Sequence, residues 1–105
     1  MIDLSVDSRG IATLALARPE KHNALSQALI DALRDAAAKI AADQSIRVVI
    51  LTGQGRAFCA GGDLGWMQDQ MAGDATMKRA AAQSIAQMLG AINTLPQPVI
   101  GRVQG

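Results

Sequence analysis

The sequence is poorest in aromatic residues, with one Phe, one Trp and no Tyr among 105 positions. A core without rings rests on Ala, Leu, Ile, Val and Met, side chains small enough for helices to pack closely on a sheet. The single cysteine, Cys59, excludes an internal disulfide framework and fits a reducing compartment. There is one histidine, His22, and no grouping of Cys, His and carboxylates at ligand spacing, so no metal is expected. Neither sign of charge dominates: ten Lys and Arg face nine Asp and Glu. Without a basic block there is no footprint for a phosphate backbone, and nucleic acid is not an expected partner. No basic segment followed by an apolar stretch opens the chain, and no apolar run reaches the length of a bilayer span. A soluble cytoplasmic protein with no membrane partner is the expectation.

What the chain has is patterned apolar residues, half of its composition, in a length suited to one domain or part of one. Ile2–Val6 and Ile11–Leu16 read as strands, and the turn chemistry of Asp7-Ser8-Arg9-Gly10 joins them as a hairpin. Pro19 and its charged neighbours in Arg18-Pro19-Glu20-Lys21-His22-Asn23 read as an exposed loop. Leu25, Leu29, Leu33, Ala36 and Ile40 then recur at helical spacing, with Asn23 or Ser26 as the cap and an end near residues 43–45. Residues 47–52 read as a buried strand. A second helix is expected over about 75–94, with Met77, Ala81, Ile85, Met88, Ile92 and Leu95 turned inward. Pro96 and Pro98 interrupt it, and 99–103 resumes as a strand. A hairpin followed by helix, strand, helix, strand predicts an α/β architecture with right-handed crossovers between parallel strands. A chain that ends on a strand leaves a parallel edge open, so a truncated domain is expected.

The chemistry concentrates in Gly53-Gln54-Gly55-Arg56-Ala57-Phe58-Cys59-Ala60-Gly61-Gly62-Asp63-Leu64. Small residues after a strand let backbone N–H groups approach a ligand, the requirement of an oxyanion hole. Phosphate cradles fail: Phe58 breaks the dinucleotide fingerprint, and no P-loop pattern occurs. Neither Ser26 nor Cys59 has a nucleophile-elbow setting. From these residues alone, Gly61-Gly62 is either an ordinary tight turn or a pair aimed at a developing negative charge.

Three segments together resemble the crotonase, or enoyl-CoA hydratase/isomerase, superfamily. They are Arg18-Pro19-Glu20-Lys21-His22-Asn23-Ala24-Leu25, Val48-Val49-Ile50-Leu51-Thr52-Gly53 and Arg56-Ala57-Phe58-Cys59-Ala60-Gly61-Gly62-Asp63-Leu64. The closing Pro98-Val99-Ile100-Gly101-Arg102-Val103-Gln104-Gly105 matches the family's next strand, so the resemblance covers essentially the whole chain. It implies the N-terminal part of the crotonase ββα spiral fold, with residues 1–105 as part of a single domain whose C-terminal catalytic half is absent. It also implies an acyl-CoA thioester as substrate, with coenzyme A entering as part of that substrate and no separate cofactor. Gly62 matches the first backbone donor of the oxyanion hole. Lys21, His22, Asn23 and Ala24 match the loop beside the pantetheine and nucleotide. Ala60 and Gly61 flank the coenzyme A path, while Asp63 and Leu64 begin the acyl pocket.

The family's second donor and its acid/base glutamates match no position here, and Glu20, the only Glu, matches none of them. Hydration of an α,β-unsaturated acyl-CoA is the activity implied for the intact parent, which would be a homo-oligomer, a trimer or hexamer. Gly62-Asp63-Leu64-Gly65-Trp66-Met67 resembles the branched-chain or methylglutaconyl-type hydratases. A chain carrying one donor is expected to be inactive alone. A non-catalytic module that binds coenzyme A or assembles with a partner is the alternative, and a folding unit that self-associates through its open sheet edge is a third.

Individual side chains have plainer roles beside these. Cys59 reads as a small buried hydrophobe and His22 as a solvated loop residue. Arg18 and Lys21 carry the charge to meet a nucleotide phosphate, yet exposed loop cations are common. Trp66 and Met67 suit either an acyl-pocket wall or packing against the next helix.

Overall fold

A computed structural model describes residues 1–105. The hairpin forms as the turn residues dictate: β1 (Ile2–Val6) pairs antiparallel with β2 (Ile11–Leu16). The Asp7 carboxylate accepts from the N–H groups of Arg9 at 2.9 Å and Ile11 at 3.1 Å, closing the turn. β3 (Val48–Gly53) lies parallel to β2, and β4 (Val99–Gly101) parallel to β3, giving one four-stranded sheet in the order β1-β2-β3-β4. The α/β class is therefore realised. β4 is shorter than the expected 99–103, because beyond Gly101 the chain bonds around the end of β3 instead of extending the ladder.

Helix α1 (Gln27–Ala42) carries the main buried stripe, with Leu29, Ile30, Leu33, Ala36 and Ile40 meeting Ala12, Leu14 and Leu16 of β2. Burying each large aliphatic side chain is worth about 2 kcal/mol, so this seam supplies most of the cohesion. Ser26 is the cap, its hydroxyl accepting from the Leu29 N–H at 3.2 Å. Leu25 falls outside the helix, a correction to the expected stripe, because a residue just before the cap is extended. Helix α3 (Ala75–Asn93) packs on α1 through Ala81 and Met88, and Ile85, Ile92 and Leu95 are half-buried against the core. Met77 is exposed, contrary to its expected inward place, because the first turn of α3 overhangs the core.

Two elements were not foreseen in the sequence. One is helix α2 (Leu64–Ala72), which buries no residue and leaves its apolar stripe of Leu64, Met67 and Met71 exposed. The other is a short 3-10 turn at Pro19–Lys21, started by a proline whose ring fits the first helical position. β3 itself is half-buried rather than fully enclosed, with Val49, Thr52 and Gly53 as its buried members. No helix is long and apolar enough to cross a membrane.

Candidate functional site

The site begins with a coincidence of strand ends. Leu16 is paired with Gly53 at the last step of the parallel β2–β3 ladder, so the loops leaving both strands emerge side by side. Asn23 joins them. It is fully buried, its side-chain oxygen accepting from the Arg18 N–H at 2.8 Å and its amide donating to the carbonyls of Gln54 and Ala57, each at 2.9 Å. With that anchor set, residues 22–25 run along 60–63 as a short parallel pair. The Ala60 N–H donates to the His22 carbonyl at 3.0 Å, the Leu25 N–H to Gly61 at 2.7 Å, and the Asp63 N–H to Leu25 at 2.9 Å. Gly53 is glycine because Asn23 crosses it: a Cβ there would lie 2.8 Å from the Asn23 amide nitrogen and 2.5 Å from the Phe58 carbonyl.

This pairing decides where the Gly62 N–H points. Leu25 bonds to the residues on either side of Gly62, as a parallel bridge requires, so the polar groups of Gly62 face the other way. The Gly62 N–H has no acceptor within the protein. Gly61 supplies the bend at φ 95°, a conformation that disfavours any side chain. Beyond Gly62 opens a cleft of about 670 Å³ between the two loops. Of the eight residues expected at the site, Lys21, His22, Ala24, Ala60, Gly62, Asp63 and Leu64 line it. Gly61 does not, since its carbonyl is turned to Leu25.

The charged residues divide by partner. Asp63 caps α2, one carboxylate oxygen accepting from the Trp66 N–H at 2.9 Å, and the other pairs with Arg18 Nη1 at 3.0 Å. The Trp66 bond first, and the Arg18 guanidinium after it, hold the Asp63 carboxyl below its ordinary range. Arg18 Nη1 also donates to the Ala24 carbonyl at 2.9 Å, so Arg18 is tied inside the site. That is the place of one of the two cations with charge suited to a phosphate. The other, Lys21, is exposed at the cleft and makes no ion pair, and His22 beside it is exposed with left-handed backbone at φ 50°. Glu20 also lines the cleft. No three metal-ligating side chains come together.

Met67 lies over Gly62, its sulfur 2.8 Å from where a Cβ on that glycine would stand. Trp66 is half-buried against the core and donates its indole N–H to the Gln27 side chain at 3.1 Å. Cys59 is half-buried against the core as well, so it packs without being enclosed. Sequence reasoning missed Asn23 as the joint of the site. The residue offered a helix cap, and its real partners lie 31 and 34 positions away. The cap pattern of Asp63, three residues before Trp66, was the available signal for α2.

Chemically, the arrangement offers the unbonded Gly62 N–H, the exposed Lys21 and His22, and the apolar side chain of Leu64 around one cleft. Known proteins resemble the chain along nearly its whole length. The profile of the family "Enoyl-CoA hydratase/isomerase" matches residues 7–105. A probable enoyl-CoA hydratase of Mycobacterium leprae is 38% identical over 101 residues, covering 93% of this chain and 38% of that protein. A probable peroxisomal enoyl-CoA hydratase of Arabidopsis thaliana is 34% identical over 105 residues, covering 100% of this chain and 37% of the relative. The crystal structure of an enoyl-CoA hydratase of Mycobacterium smegmatis superposes with a TM-score of 0.92 at 39% identity, over 99% of this chain and 40% of that one. An enoyl-CoA hydratase of Shewanella pealeana gives 0.95 at 28% identity, over 99% and 39%. The chain thus spans about two fifths of the length of the proteins it matches.

Proposed function

The chain belongs to the enoyl-CoA hydratase/isomerase family, and from that premise we propose that residues 1–105 form the thioester-binding part of an enoyl-CoA hydratase. The observation that carries this reading is the unbonded Gly62 N–H beside the cleft that Gly62 helps to line. A thioester oxygen set against it gains one hydrogen bond in the ground state. When water adds across the α,β double bond, electron density moves onto that oxygen as an enolate, and the same bond strengthens. A donor of this kind is worth about two to three orders of magnitude in rate.

In this reading Lys21 and His22 face the nucleotide end of coenzyme A, Ala24 and Ala60 border the pantetheine, and Leu64 with Met67 bounds the acyl group. The run Gly62-Asp63-Leu64-Gly65-Trp66-Met67 favours a branched, methylglutaconyl-type acyl group. Coenzyme A arrives as part of the substrate, and no separate cofactor enters. The second donor and the acid/base glutamates would come from sequence outside these 105 residues, in a parent that assembles as a trimer or hexamer in the cytoplasm. Residues 1–105 alone bind thioester without turning it over. A non-catalytic coenzyme A-binding or assembly module is the second reading.

Calorimetry with acetyl-CoA and with S-ethyl-CoA, which lacks the thioester carbonyl oxygen, tests the donor. Acetyl-CoA should bind about two- to tenfold more tightly, the worth of one hydrogen bond. Equal affinities, or no binding of either, would overturn the assignment of Gly62. Hydration of crotonyl-CoA at enzymatic rates by these 105 residues would overturn the division of labour.

A further inference from the structure

The Asp63 carboxylate stands one residue from the Gly62 N–H, and its position is fixed by the cap it makes on α2. A negative charge there opposes any charge that builds on an oxygen held by Gly62. The structure answers with Arg18, whose Nη1 contacts Asp63 at 3.0 Å and the Ala24 carbonyl at 2.9 Å. These two contacts fall on opposite sides of the Leu25–Gly62 bridge. The pair is largely withdrawn from water, with side-chain exposures of 14% and 18%, so solvent screens it less than an exposed pair. The backbone of Arg18 is also pinned, its N–H donating to Asn23. Through Nη1 the guanidinium is committed to Asp63 and to the Ala24 carbonyl.

We infer that Arg18 is a positioning residue that neutralises the Asp63 carboxylate, so that the Gly62 N–H presents a site free of opposing charge to an oxygen gaining negative charge. The inference rests on Gly62 being the thioester donor. It gives the two charges one combined role: Asp63 is required as a helix cap, and Arg18 cancels the electrostatic cost of that cap beside the donor.

Base-catalysed hydrogen exchange at the Gly62 amide reads this without any ligand. Exchange removes the amide proton and leaves an anion on the peptide, so a nearby uncompensated negative charge slows it. Because this N–H has no protein acceptor, local opening does not gate its exchange. Arg18→Met should slow Gly62 exchange by about threefold or more, and Asp63→Asn, which keeps a good cap, should speed it by about threefold. The double variant should return to within about twofold of the parent. The Ser8 amide on the far hairpin turn, also unbonded, should stay unchanged. A purely structural clamp predicts otherwise, since removing Asp63 as well would not restore what Arg18→Met broke. Unchanged exchange in Asp63→Asn, or a double variant as slow as Arg18→Met, overturns the inference. Should Arg18→Met fail to fold, Asp63→Asn alone decides. Failure of acetyl-CoA to bind the parent would remove the donor reading and leave the exchange result to judge the screening by itself.

Discussion

Asn23 shows how much one side chain settles in this site. Both of its amide hydrogens and its oxygen are used, in full burial, to hold two loops that share no sequence proximity. Replacing it with alanine removes three hydrogen bonds and leaves the Gln54 and Ala57 carbonyls without their donor. Each bond is worth about 1 kcal/mol net, and stranded polar groups add to the loss, so Asn23→Ala should cost about 3 kcal/mol. Urea unfolding would show this as a lower midpoint at constant slope; a change under about 1 kcal/mol would contradict the role. Nothing local announces this. Asn before a helix reads as a cap, and Ser26 holds that post. Gly62, by contrast, was singled out by the resemblance of its flanking segments, since the small-residue run by itself also suits an ordinary tight turn. The direction of its N–H was not legible, since that depends on Leu25 being paired to its neighbours.

The elements differ in how much of their cause lies within them. α1 was readable because its apolar stripe is its reason for forming, and the hairpin because Asp7 makes its turn. α2 has no buried residue and depends on the Asp63 cap and on its attachment through Trp66 to Gln27, whose amide donates in turn to Ser84 at 2.9 Å. Its stability is borrowed from α1 and α3. Gln27→Ala should therefore loosen α2 selectively, at about 1 kcal/mol. Trp66 is the only tryptophan, so its emission should shift to the red in that variant. Amides of α2 should exchange faster while those of α1 and β2 keep their protection. Uniform loss of protection would show instead that α2 is part of the cooperative core.

The whole molecule is flat. Its extents are 46 × 28 × 16 Å and its radius of gyration is 14.3 Å, above the roughly 13 Å of a compact domain of this length. Only 20 of 105 residues are buried, which leaves broad apolar surface in water. That surface includes Leu64 and Met71 of α2, 75% and 74% exposed, and Ile100 and Val103, 56% and 71% exposed, in and just after β4, whose outer edge pairs with nothing. An unpaired edge beside exposed aliphatics is a template for association. Residues 1–105 in isolation should sediment heavier than a monomer at tens of micromolar, and Ile100→Lys should shift them toward monomer. A clean monomer across that range would show the edge to be inert.

By itself, the sequence determined the order and type of the strands, the two long helices and the family, because alternation, helical spacing and a small-residue turn act within short stretches of chain. It also determined that Gly62 has the freedom to serve as a donor. Tertiary structure alone decided that α2 forms, that Arg18 faces Asp63, and that Asn23 locks the loops so that the Gly62 N–H is left free over a cleft. The reason is reach. Periodicity and turn chemistry are local, whereas each of those three outcomes is set by partners more than thirty residues away, brought together only when β2 and β3 end side by side.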